Sequence, residues 1–159
     1  MLRVVLIAAL FLSLAPPAIT RTLQRVLVIN GTCTHFEFDG HDQTRFCQDK
    51  LSVTLFDDGR ANFTFLLKRI GSPDVINTFT GQANQATTSR QGVSAEQVDG
   101  FIYTFGRDAT KSVKAAGLCK FGNLYKPKSF VECGVEVGDK RFDVRFESDA
   151  SAPTTLNPR

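Results

Sequence analysis

The stretch 130–147, FVECGVEVGDKRFDVRFE, constrains the fold more than any other, because turn chemistry and side-chain pattern agree on a single register. Reading Gly138-Asp139 as a two-residue loop puts Gly at the first central position, as a type II′ hairpin requires. Val137 then faces Lys140, and the count outward pairs Glu136 with Arg141, Val135 with Phe142, Cys133 with Val144, Glu132 with Arg145 and Val131 with Phe146. One face is apolar. The other carries two opposite-charge pairs directly across from each other, which stabilise a solvated sheet face by a few tenths of a kcal/mol each. A one-residue slip would turn every apolar side chain to solvent, so the register is strongly specified.

A second hairpin lies over 51–67. A two-residue loop at Asp58-Gly59 would mix the faces of its strands. A three-residue loop Asp57-Asp58-Gly59, with Gly59 left-handed in a bulge, instead pairs Leu55 with Ala61, Val53 with Phe63 and Leu51 with Phe65. Thr54–Asn62 and Ser52–Thr64 fall on the opposite face, and the apolar face is continuous.

The first twenty residues stand apart. Arg3 precedes an apolar run over 4–15 that only Ser13 interrupts, too short to span a bilayer and the right size for a signal-peptide core. Residues 1–20 are therefore read as a signal peptide, 21–147 as one all-β domain, and the polar, Pro-containing 148–159 as a disordered tail. Export to a periplasmic or extracellular space gives the cysteines meaning, since an even number in an oxidising compartment reads as a disulfide framework. Cys33 and Cys47 are fourteen positions apart, and so are Cys119 and Cys133. Local pairing follows from that spacing, and an antiparallel register centred on Lys126 sets Cys119 opposite Cys133. Zinc is disfavoured, for no CxxC and no finger-type Cys/His spacing occurs. The stretch 39–50 lacks the alternating acids and closing Glu of a calcium loop.

Elsewhere the pattern predicts short strands. The stretch 25–39 divides at Asn30-Gly31, a turn dipeptide, into two of them. The stretch 40–48 is a polar loop closed by Cys47. Residues 75–80 form a strand, 81–99 either a polar strand pair split at Gly92 or a long loop, and 100–105 a strand with Phe101, Tyr103 and Phe105 on one face. Residues 111–121 are a strand thinned by Ala115-Ala116-Gly117. The sum is about eight or nine strands and no helix, an antiparallel β-sandwich or small closed β-barrel with two local disulfides. An outer-membrane barrel is a third possibility and is disfavoured: there is no Trp, only Tyr103 and Tyr125 could make aromatic girdles, and the strands read nearer six or seven residues than the nine to eleven a membrane needs.

Two features bear on function. The first is charge. Over 37–58 the acids Glu37, Asp39, Asp42, Asp49, Asp57 and Asp58 face Arg45 and Lys50, whereas over 107–128 Arg107, Lys111, Lys114, Lys120, Lys126 and Lys128 face only Asp108. With Tyr125 interleaved, Arg107, Lys111, Lys120, Lys126 and Lys128 form a candidate site for an anionic protein or lipid. The competing reading is that these lysines keep sheet edges apart. The net charge of +3, or +2 without Arg3, is too small to point to nucleic acid. The second feature is fourteen Phe, of which only Phe11 lies in the leader. So many suffice to fill a core and could also line a cavity for an apolar ligand.

Catalysis has little to work with. His35 and His41, with Asp39, Asp42 and Asp49 nearby, are the only imidazoles, and no HExxH, GxSxG or phosphate loop accompanies them. The chain is accordingly read as a non-enzymatic, monomeric binding domain without cofactor or metal. It would meet its partner through 81–99 and 121–128, with inhibition of a secreted hydrolase as the specific form. The alternatives are a carrier holding an apolar ligand in a Phe-lined interior and a small hydrolase built on His35 and His41. In plan, with a leader, β-hairpins and two local disulfides, the chain resembles small periplasmic hydrolase inhibitors and lipocalin-like binders, a resemblance of architecture alone, which does not establish function.

Overall fold

The computed structural model describes residues 21–106, 109–123, 126 and 129–157. The expected signal peptide therefore lies outside the described residues. Eleven strands follow in chain order: β1 (Leu23–Phe38), β2 (His41–Asp42), β3 (Cys47–Phe56), β4 (Arg60–Leu67), β5 (Val75–Gln82), β6 (Thr87–Thr88), β7 (Ser94–Phe105), β8 (Ala109–Phe121), β9 (Phe130–Val137), β10 (Lys140–Ser148) and β11 (Thr154–Leu156). Eight of them, β1-β3-β4-β5-β7-β8-β9-β10, form an antiparallel meander that closes when β10 pairs with β1. Of the two architectures the pattern allows, the barrel is the one formed. Closure removes the sheet edges that a sandwich would have to protect.

Both hairpins have the expected registers. β9 and β10 pair from Val137–Lys140 to Val131–Phe146, around Gly138 at φ +65°. β3 and β4 pair Leu55–Ala61, Val53–Phe63 and Leu51–Phe65 around Gly59 at φ +81°. The disulfides are Cys33–Cys47, with Cα atoms 5.9 Å apart, and Cys119–Cys133, where the residues are direct cross-strand partners with Cα atoms 4.1 Å apart. Two bridges suit an oxidising, extracellular-type environment. Among the described residues no helix is long and apolar enough to cross a membrane.

Four expectations need correction. The strands are not all short: β1, β3, β7 and β8 run for 16, 10, 12 and 13 residues, because a closed sheet offers each a ladder on both sides, so strand length does not speak against a membrane barrel. Asn30-Gly31 does not turn the chain: β1 runs through it as one strand of 16 residues. Asn30 pairs with Lys50 of β3 and Gly31 with Ser148 of β10, so a ladder is available on either side and the extended backbone wins. The glycine serves a close approach instead, since a Cβ there would lie 2.0 Å from the Glu147 carbonyl oxygen. The tail is not without order, because Thr154–Leu156 pair with Val26–Val28 along the part of β1 that β10 leaves open. The polar loop 40–48 contains the β2 bridge to β1 and a 3₁₀ turn, Thr44–Phe46. The stretch 81–99 takes the strand-pair form, with β6 against the start of β7 and Gly92 at φ +78° between them.

The barrel's middle is solid. Phe36, Phe63, Phe65, Phe79, Phe101 and Phe146 are all at most 1% exposed. Their rings meet in sequence: Phe36–Phe65 at 6.4 Å, Phe65–Phe79 at 5.7 Å and Phe79–Phe101 at 5.1 Å between centroids, mostly edge-to-face. An eight-stranded barrel is just wide enough for side chains to fill or for one small ligand. Here side chains take the centre, and room for a ligand remains only at the ends.

Candidate functional site

One end of the barrel is a funnel of about 570 Å³, within the range of small-ligand cavities. Inward alternation along the strands supplies its walls: Phe36 and Phe38 from β1, Val75 and Asn77 from β5, Tyr103 and Phe105 from β7, Ala109 and Lys111 from β8, Val137 from β9, and Phe142 from β10. The Phe142 ring lies 4.5 Å from Phe38 and 4.4 Å from Phe101, so the funnel rests on the aromatic core. Phe105 is 51% exposed at its lip. The rim carries Arg69, Lys111 and Lys140, and no carboxylate lines the cavity among the described residues. Arg69 hydrogen-bonds to the Gln43 side-chain oxygen and stacks over Phe46. Lys140 stands 3.7 Å from Asp39 and over the Phe38 ring.

The opposite end is more polar. Residues 88, 91–94, 121–123, 126, 129 and 130 surround a cavity of about 700 Å³ floored by Leu27, Val53 and Leu55. Parts of the two segments expected to meet a partner, 88 and 91–94 of one and 121–123 with Lys126 of the other, thus reach the same end. The buried Ser129 hydroxyl there has no hydrogen-bond partner.

The basic residues singled out in the sequence do not form one patch. Lys111 and Lys120 lie nine residues apart on β8, about 30 Å at the usual rise of a strand. An odd separation also places them on opposite faces of the sheet. Lys111 faces the funnel; Lys120 stands on the outer wall, in a groove of about 380 Å³ with His35, Glu132, Arg141, Asp143 and Arg145. Lys126 belongs to the polar end. Arg107, Tyr125 and Lys128 lie outside the described residues. In the wall groove Arg145 is held by Glu132 at 2.6 Å and Glu147 at 3.0 Å, and Arg141 by Asp143 at 2.6 Å. These charges satisfy one another. Neither imidazole lines an end cavity; His35 instead shares the wall groove with the carboxylates of Glu132 and Asp143. His35 is on the outer wall and His41 is exposed on β2. Hydrogen bonding from Thr44, its side chain first and then its backbone N–H, holds the Asp42 carboxyl below the usual range, and Asp49 accepts from the Cys33 N–H. Among the described residues no group of three or more His, Cys, Asp or Glu could hold a metal ion.

Two polar residues inside the barrel escaped sequence reasoning. Asn77 is 3% exposed, lines the funnel, and its side-chain Nδ2 makes no hydrogen bond. Glu96 is 1% exposed with neither carboxyl oxygen hydrogen-bonded. It lies opposite Cys119 and over Gly81, where a Cβ would come within 2.9 Å of Oε1. Burial pushes its carboxyl up to about 7, against the pull of Arg60 and with the help of Asp99. Arg60 itself is paired with Asp99 and donates to the Thr80 hydroxyl at 2.9 Å. The signal for both was parity: Asn77 alternates with Val75 and Phe79, and Glu96 with Val98, on inward positions. No family model matches the sequence, and no curated protein or solved structure shows significant similarity to it.

Proposed function

We propose that this chain is a non-catalytic binding protein, exported to an oxidising compartment, that holds one apolar ligand in the Phe-lined funnel of its barrel. The funnel itself carries the reading. Six aromatic side chains, Phe36, Phe38, Tyr103, Phe105 and Phe142 with Phe101 beneath, converge on a cavity of about 570 Å³ that the protein's own side chains leave unfilled. A core that needed only packing would close over such a bed, since an unfilled apolar space forfeits dispersion contacts. The apolar leader and the two disulfides support export.

The test is titration of the purified protein with N-phenyl-1-naphthylamine, a neutral apolar fluorophore, alongside Ala109→Trp. Ala109 is exposed at the lip, so the larger ring obstructs the funnel without cutting the core. A saturable 1:1 signal that weakens at least tenfold in the variant is expected. No saturable signal, or equal binding by parent and variant, overturns the reading.

A second reading has its own observation, the convergence of 91–94 with 121–123 and Lys126 around the polar end. A protein partner docked there, including a secreted hydrolase held inhibited, would be lost with Lys126→Glu and kept with Ala109→Trp. Partner capture from the native extracellular fraction with both variants separates the two ends.

A further inference from the structure

The funnel is amphipathic in cross-section. Lys111 of β8 pairs with Tyr103 of β7, and Tyr103 with Asn77 of β5, so these three inward-facing residues form one row across adjacent strands. The outer two have Cα atoms about 10 Å apart at the usual strand spacing. In the closed strand order, β7 stands across the barrel from β1, which carries Phe36 and Phe38. One wall is therefore polar and cationic; the facing wall is aromatic.

Two observations on the polar wall point to the same kind of ligand. Of the three rim cations, Arg69 and Lys140 have partners in Gln43 and Asp39, whereas Lys111 makes no ion pair among the described residues. Asn77 keeps an amide donor out of water with nothing to accept from it, a costly arrangement unless a ligand supplies the acceptor. Its terminal torsion is soft, so the donor reaches an acceptor in the cavity by turning in place. A cation and an idle donor on one wall, flanking Tyr103, with no carboxylate in the lining, suit an anionic oxygen group held between them.

We infer that the funnel takes a single-chain amphiphile with an anionic oxygen headgroup, carboxylate or phosphate, its head on Asn77 and Lys111 and its chain against Phe36, Phe38 and Phe142. The inference rests on the reading of the funnel as an apolar-ligand site and adds the ligand's class. The ligand enters as a free molecule. Asn77 and Phe36, 3% and 1% exposed, lie below the rim, where a headgroup in a bilayer surface does not reach.

Competition against N-phenyl-1-naphthylamine tests it, using decanoate, decyl phosphate, 1-decanol and decyltrimethylammonium, each below its micellar concentration, and phosphatidylglycerol vesicles. The anions should displace the probe at concentrations at least tenfold below decanol, with the cation weakest; the better of the two anions identifies the headgroup. Lys111→Gln, at an exposed position, should bring the displacing concentrations of the two anions to within about threefold of decanol's, each read against the variant's own probe affinity. Asn77→Leu should do the same without lowering the melting temperature, because no hydrogen bond is lost. Equal competition by all four amphiphiles overturns the inference and leaves the apolar site standing. Absence of probe binding removes both. Binding to vesicles with no displacement by free decanoate or decyl phosphate also overturns it, in favour of a membrane-docking rim.

Discussion

Glu96 should make this barrel less stable as the solution turns from acid to neutral. Its carboxyl is buried without a hydrogen-bond partner and titrates at about 7 in the fold, against 4.5 ordinarily. The native state therefore keeps a proton that the unfolded chain releases, and stability falls as pH rises through that window. A separation of this size corresponds to about 3 kcal/mol, fully present below 4.5 and lost above 7. For a chain of this length that is about 10 °C in melting temperature. The exposed carboxylates Asp42, Asp57 and Asp149, held low by hydrogen bonds from Thr44, Thr22 and Ser151, act with the opposite sign and only at lower pH. Stability should consequently peak near pH 4–5. The assay is thermal unfolding followed by circular dichroism from pH 3.5 to 8.5, on the parent and on Glu96→Gln, which keeps the shape and cannot ionise. The charged groups acting on Glu96 are Arg60 and Asp99, already paired with each other, so the substitution leaves their bond intact. The variant's profile should be flat between 4.5 and 7.5 and should rise above the parent's at pH 8. Parallel profiles across that window would refute the reasoning, because they would mean that Glu96 is ionised in the fold or finds water there.

Two further outcomes follow from the backbone. Gly31→Ala should destabilise by about 2–4 kcal/mol, since a Cβ 2.0 Å from the Glu147 carbonyl forces β1 and β10 apart at the barrel's closure; urea unfolding measures it, and a loss under 0.5 kcal/mol would show that the seam is slack. Replacing Cys119 and Cys133 together by Ala should cost about 3 kcal/mol for a loop of fourteen residues. The N-phenyl-1-naphthylamine affinity should stay unchanged, because neither sulfur lines the funnel. A variant that loses the probe while still folded would place the disulfide in the binding site.

The residues alone were sufficient for the local elements. Both hairpins, their turn types and the Cys119–Cys133 pairing rest on alternation and turn chemistry within about twenty residues, and those rules act the same in any β fold. Asn30-Gly31 shows where local rules stop. The dipeptide favours a turn, but a ladder on each side of β1 outweighs that preference, and those ladders come from β3 and from β10, more than a hundred residues on. The same holds for Thr154–Leu156, whose composition promises no order until β1 offers an open edge.

The candidate site was less legible still. Lys111 and Lys120 belong to one basic run in the chain, yet strand length and parity send one to the funnel and the other to the outer wall. Asn77 and Glu96 acquire their character from closure alone. On an open sheet each would face water at no cost, whereas in a sealed barrel each becomes a buried polar group without a partner. Whether the many Phe side chains pack or line a cavity also depends on closure, since the width of an eight-stranded barrel leaves room for rings at the centre and for a ligand only at the mouth. Alternation tells which residues face inward; the radius and register of the closed sheet decide what they meet there.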